Sequence, residues 1–372
     1  MNFLKLEQLV DTMPDRGIPF YELIITRRGK QVFSRSVGRS SKEKNDLYWL
    51  YSTTKIITCT AAMQLVEQGK LHLDDAISKY LPAFGTLQVR QSDGTITPCE
   101  TKLRVEHLFT MTGGFGPDHE TAQPVMEAAA VPGAGTLEIV NAMAQVPLYF
   151  EPGNRYLYGF CHDVLAAVVE VVSGMRFSEY VQRMILDPLE MSDTGFHPNE
   201  EQKNRFAEMF RFDNSNGTSK RISTVNKLIL SPNYDSGGAG LFGCASDYIK
   251  LITALACDGV AENGYRVLSP SSIAQMECNR LNPVALHDFV NGRLHGYGWG
   301  LCGRVHMNPT FSLSGSPVGE FGWDGAAGCF SMVDRKNQIA LFYGMQVMGC
   351  AYSCYVLQPY IRSLVYEGGF HS

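Results

Sequence analysis

No run of about 18 apolar residues occurs in this 372-residue chain, so no segment reads as a membrane span. The opening stretch MNFLKLEQLVDTMPDRG spreads charges through its apolar residues and has no apolar core of the kind a signal peptide needs. There is no basic stripe and the net charge is −5, which excludes nucleic acid and anionic membrane surfaces as expected partners. The chain also lacks Cys-x-x-Cys, His-Glu-x-x-His and any pair of histidines spaced i, i+4, so no metal site is expected. It has neither a phosphate-cradling glycine loop nor a Gly-x-Ser-x-Gly nucleophile elbow. No cofactor is expected. Internal repeats and low-complexity linkers are missing as well.

Cysteine, by contrast, is plentiful. Ten are scattered from Cys59 to Cys354, mostly among apolar neighbours. Without an export signal they read as reduced thiols of a cytoplasmic protein, filling core space as small apolar residues. With 45% hydrophobic and 19% charged residues the chain has ample core, and its length allows two domains or one domain with a large insertion. The oligomeric state is not legible.

Along the chain, residues 1–13 read as a short helix, and YELIITRRGKQVFSRSVG as a β-hairpin turning at RRGK. A helix is expected over 52–68, then a helical turn opened by Asp74-Asp75 and stopped by Pro82. Residues 85–101 suggest a small hairpin around Asp93-Gly94. Helices follow in LRVEHLF, TLEIVNAMAQV, VLAAVVEVV (ended by Gly174) and FSEYVQRMILDPL. Segment 199–235 reads as irregular, with DNSNGTSK as an exposed loop. Ser246 is the expected N-cap of the next helix. GYGWGLCGRVH, FSLSGS and AGCFSMVDRKNQIALFYGMQ read as successive strands before a closing helix. Helices thus fill the middle and strands the end. This predicts an α/β (α+β) protein: an antiparallel sheet flanked by helices and built from both termini, residues 1–80 plus 236–372, with a mostly helical domain, 81–235, inserted between them. The active site is expected in the cleft between the two.

The chemistry points to Tyr51-Ser52-Thr53-Thr54-Lys55. Positions i and i+3 share a helix face, so the Ser52 hydroxyl and Lys55 amine can meet. Near a helix N-terminus, unpaired N–H groups favour developing negative charge. A neutral lysine there can take the serine proton and make Ser52 a nucleophile. Ile56, Cys59, Ala62, Met63 and Val66 follow at helical spacing up to Gly69, which reads as an amphipathic helix. The bland alternative is a buried helix capped by Ser52 with a snorkelling lysine. A second Ser-x-x-Lys, Ser41-Lys42-Glu43-Lys44, sits in polar SSKEKND and reads as a solvated turn.

Other segments support the first copy. Residues 49–84, VEHLFTMTGG, PLYFEPGNRYLYGFCHDVLAAVVEVVSG, GGAGLFGCASDY and FGWDGAAGCF stand in an order that resembles the serine β-lactamase and penicillin-recognising hydrolase superfamily. The likeness is to its class C-related branch, and within that to family VIII carboxylesterases. The resemblance implies that Ser52 is acylated, with Lys55 as its partner and Tyr158 at the family's catalytic tyrosine. Tyr156 is a rival two residues away. A phenol has a pKa of about 10 in water, and a cationic lysine beside it makes a Ser–Lys–Tyr proton relay physically sensible. Trp323-Asp324-Gly325 falls at the family's Lys-Thr-Gly strand, so the backbone N–H groups of Ala326 and Ser52 are implied as the oxyanion hole, at about 3–4 kcal/mol per donor.

The departures bear on substrate. Phe160 replaces the family's asparagine, and Trp323 and Asp324 replace Lys-Thr; with Gly325 these are the implied substrate-binding positions. An aromatic residue and an anion where lactamases hold a carboxylate predict weak or no β-lactam hydrolysis. Met111-Thr112-Gly113-Gly114 also departs from His-Thr-Ser-Gly. The expectation is therefore a serine hydrolase cleaving carboxylic esters through an acyl-enzyme, with a neutral or cationic acyl donor whose apolar portion packs on Trp323 and Phe160. Alternatives are an acyltransferase using the same intermediate, a D-amino-acid peptidase or amide hydrolase, and, from another class, a non-catalytic binding protein.

Overall fold

Strand Tyr21–Arg27 turns through Arg28 and Gly29, both at positive φ, into Lys30–Val37. Two left-handed residues give the type I′ turn whose twist matches that of the strands, which is why RRGK makes a hairpin. The structure, a computed structural model, describes residues 3–38, 46–291, 294–312 and 314–367. The second Ser-x-x-Lys at 41–44 lies outside the described residues.

This hairpin joins the end of the chain. The main sheet has seven antiparallel strands, in the order Lys30–Val37, Tyr21–Arg27, Ile339–Gly344, Phe330–Asp334, Phe321–Gly322, Arg304–His306, Tyr297–Trp299. Leu23 pairs with Tyr343 and Ile25 with Leu341. Both faces of the central strands are buried, and the period of two sorts their side chains. Leu23, Ile25, Leu341 and Tyr343 meet the terminal helices Leu4–Asp11 and Gln358–Glu367, whereas Ile24, Ala340 and Phe342 meet helix Ala245–Ala256. Burying each large apolar side chain contributes about 1.5–3 kcal/mol. The strands therefore read as continuous apolar runs.

Helix Thr54–Glu67 packs on helix Cys161–Ser173 and differs from the amphipathic expectation: every residue from Thr54 to Leu65 is buried. Its threonines are compatible with that because their hydroxyls find carbonyls, Thr58 on Gly237 at 2.7 Å and Thr60 on Ile56 at 2.8 Å. Gly69 does end it, at φ 66°.

Several local expectations need correction. FSLSGS is not a strand: Phe311 and Ser312 end the short helix Pro309–Ser312, and the sheet strand is Phe321–Gly322. Segment 199–235 is not irregular throughout, since Met209–Asp213 and Thr218–Ile222 form a hairpin around the polar turn, with Val347–Met348 added in parallel. Cys244, not Ser246, is the N-cap of helix Ala245–Ala256. Pro82 starts a 3-10 turn, Pro82–Thr86, a use its fixed φ and missing N–H suit as well as stopping one. All ten cysteines are free; six are buried. Among the described residues no helix is long and apolar enough to cross a membrane, and no group of three or more side chains is placed to hold a metal ion.

Candidate active site

Ser52 lies in a 3-10 turn, Tyr51–Thr53, that feeds the helix Thr54–Glu67. Tyr51 holds φ 46°, an uncommon conformation for a bulky residue and one found more often at functional sites. Lys55 is only 3% exposed. Its Nζ lies 3.2 Å from Ser52 Oγ and donates to the Gly238 carbonyl at 2.6 Å. Those two contacts aim the amine at the serine.

Gly237 and Gly238 are threaded between the serine helix and helix Cys161–Ser173. A Cβ at Gly237 would stand 2.4 Å from the His162 carbonyl oxygen, and one at Gly238 would stand 2.4 Å from Asp163 Oδ2 and 3.4 Å from Lys55 Nζ. This close approach explains the paired glycines of SGGAG. It also reveals a group that the sequence reading missed. Asp163 is 2% exposed and accepts hydroxyl hydrogens from Tyr234 at 2.7 Å and Ser236 at 2.6 Å, so a buried acid shares the surroundings of Gly238 with Lys55. Asp163 lies in an apolar helical run with no partner near it in sequence, so no local signal marks it. Next to it, burial and then the charge of Lys55 push His162 down to about 3, which keeps that ring neutral.

Tyr158 is 37% exposed and its ring lies under Lys55, with Nζ 4.7 Å from the centroid. The Trp323 indole N–H donates to the Tyr158 hydroxyl oxygen at 2.8 Å. The loop carrying Tyr158 rests on the Met111-Thr112-Gly113-Gly114 segment. Leu157 donates its N–H to Met111 at 3.0 Å, and Gly153 to Thr112 at 2.8 Å. Gly159 lets the loop pass the Phe115 carbonyl, where a Cβ would stand at 2.0 Å. The unexpected Met-Thr-Gly-Gly thus acts as a backbone cradle, for which its side chains are secondary. Tyr156 also borders the cleft, but its ring packs edge-on against Phe289 and tilted on Trp299.

Trp299 is a second group the sequence reading passed over. Fully buried and anchored by its N–H to the Phe109 carbonyl at 3.0 Å, it meets Trp323 edge-on at 4.5 Å and Tyr158 at 6.0 Å. It is the floor that fixes both rings.

Trp323 to Ala326 come alongside the serine because Gly325 permits it: a Cβ there would stand 2.5 Å from the Leu50 carbonyl oxygen. Ser52 and Ala326 line the same cleft, and among the described residues neither backbone N–H has a hydrogen-bond acceptor. Two such donors in one cleft can receive a developing oxyanion. The cleft encloses about 670 Å³ and brings together Ser52, Tyr158, Trp323, Asp324, Gly325 and Ala326. Phe160 is not part of this lining: it is the N-cap of helix Cys161–Ser173, half-buried against the core. Its partly buried side chain packs against the core at the start of that helix, apart from the residues that line this cleft.

The chain is similar to known proteins over most of its length. The family model described as Beta-lactamase matches residues 6–349. The chain is 30% identical over 315 residues to Protein Rv1367c of Mycobacterium tuberculosis, covering 82% of this chain and 78% of that one. It is 28% identical over 332 residues to Esterase EstB of Burkholderia gladioli, covering 84% and 80%. Among solved structures, "EstCE1, a hydrolase with promiscuous acyltransferase activity" superposes with a TM-score of 0.80 at 22% identity, over 97% of both chains.

Proposed function

The chain belongs to the beta-lactamase family, and from that premise we propose that it is a serine hydrolase that cleaves small carboxylic esters through an acyl-enzyme on Ser52. The observation that carries this is the 3.2 Å contact of Lys55 Nζ with Ser52 Oγ in a cleft shared with the Ala326 N–H. Ser52 Oγ attacks the ester carbonyl while its proton passes to Tyr158, which acts as a phenolate beside the Lys55 ammonium. The N–H groups of Ser52 and Ala326 hold the oxyanion. The leaving alkoxide takes a proton from Tyr158, the exposed member of the pair. Water then enters, loses its proton to the same groups and releases the acid.

The likeness to Esterase EstB favours esters over lactams, as does Asp324 in the cleft lining: its carboxylate opposes the carboxylate that penicillins and cephalosporins carry. Short-chain p-nitrophenyl esters should be turned over faster than a chromogenic cephalosporin, with the acyl mass found on Ser52 and lost in Ser52→Ala. Faster cephalosporin turnover overturns the ester reading. Fluorophosphonate labelling that persists in Ser52→Ala overturns the nucleophile.

An acyltransferase is the second reading. The aromatic cleft suits an organic acceptor, and EstCE1 is described as having promiscuous acyltransferase activity. Product analysis with and without an added alcohol separates transfer from hydrolysis.

A further inference from the structure

We propose that the cleft selects esters bearing a cationic ammonium group, held by the Asp324 carboxylate against aromatic rings, close to the scissile carbonyl. This rests on the ester-hydrolase reading and narrows its substrate class.

Asp324 is the one formally charged side chain among the described residues that line the cleft. It is half-buried, and among the described residues its side chain accepts one hydrogen bond, a long one of 3.9 Å from the Cys354 thiol. Other acids here are held by arginines or by several hydrogen bonds. Asp193 is paired with Arg205, Asp235 with Arg176, Asp288 with Arg155, Glu277 with Arg335 and Glu320 with Arg304. Asp324 has no ion pair among the described residues and borders the open cleft instead. The nearby cation Lys55 does not serve, because it is buried outside the cleft lining and committed to Ser52 and Gly238.

The other walls complete the recognition. Tyr156, Tyr158, Phe289, Trp323 and Tyr355 line the same space. Aromatic faces carry negative potential and attract ammonium groups, quaternary ones above all. A carboxylate adds Coulomb attraction in a site that excludes part of the water. An anionic substrate meets the reverse of both.

Placement relative to the chemistry follows from the chain. Asp324 is two residues before Ala326, so their Cα atoms are at most about 7 Å apart. A cation at Asp324 therefore stands a few bonds from a carbonyl seated at the Ala326 N–H. Choline-type esters and short ω-ammonio acyl esters have that span.

The test uses two matched pairs on the full chain. On the alcohol side, S-butyrylthiocholine is compared with S-(3,3-dimethylbutyl) thiobutyrate, its uncharged isostere. On the acyl side, p-nitrophenyl 4-(trimethylammonio)butanoate is compared with p-nitrophenyl 5,5-dimethylhexanoate. The expected result is a kcat/KM ratio, cationic over neutral, of at least about tenfold in one pair. That ratio falls with added salt, and drops to within about threefold of unity in Asp324→Asn and Asp324→Ser. A ratio near unity in the native protein, or one that survives both substitutions, overturns the proposal. If no ester is cleaved and Ser52 carries no acyl mass, the hydrolase reading fails separately. Charge selection is then decided by calorimetric binding of choline against 3,3-dimethylbutanol. Tighter choline binding that is lost in both variants upholds it, and equal binding overturns it.

Discussion

Lys55 shows how a buried cation is kept useful. Its amine is withdrawn from water and fixed by the Gly238 carbonyl, so it can face Ser52 without a solvent shell. Tyr158 is oriented from the other side by Trp323, which replaces a family lysine with a neutral N–H donor. Trp323→Phe keeps an aromatic wall and deletes that donor. One hydrogen bond of this kind contributes about 0.5–1.5 kcal/mol, so kcat for a neutral ester should fall by up to about tenfold. Unchanged kcat in steady-state assays would show that the indole N–H does not act on Tyr158.

The serine helix is surrounded by protein, and its neighbours approach it closely through glycine. Gly237 and Gly238 pass on one side, and the Trp323–Ala326 stretch reaches the backbone before Ser52 on the other. Gly325→Ala places a Cβ against the Leu50 carbonyl, a backbone atom that cannot swing aside. The strand must shift and carry Ala326 with it. A displacement of about 1 Å costs on the order of 10²-fold in rate. The expected outcome is that loss in kcat with the circular dichroism spectrum retained; full activity would mean that Ala326 does not define the oxyanion site.

Across the whole molecule, the buried His119 and His162 and the half-buried His107 set an acid limit on stability. Burial lowers His107 and His119 to about 4 and His162 to about 3. Their folded values lie below the ordinary 6.5, so their contribution is fully present above about pH 6.5. It is lost as pH falls toward the folded values, because the unfolded chain binds these protons first. Each histidine costs up to about 1.4 kcal/mol per pH unit in that window. The denaturant midpoint should therefore fall steadily from pH 7 to pH 4.5; a midpoint constant over that range contradicts these burial effects. The same global scale explains the sheet. Its central strands come from opposite chain ends, so the sheet is completed only by the long-range pairing of Tyr21–Arg27 with Ile339–Gly344.

Local chemistry determined much by itself. The RRGK turn, the ends of helices at Gly69 and Gly174, and the helix-compatible spacing of Ser52 and Lys55 are set by neighbours within a few residues, and so are readable from them. The order of the segments around Ser52, Tyr158 and Trp323 carried the family resemblance, and a family match over residues 6–349 shows it. Contacts between distant parts decided the rest. Asp163 and Trp299 look like ordinary core residues until folding brings Gly238, Lys55, Trp323 and Tyr158 against them. Phe160 and Asp324 are both substitutions at family positions, yet one packs a helix start and the other lines the cleft. Which way a side chain faces depends on the surface it is packed against, and that surface is supplied by residues far away in the chain.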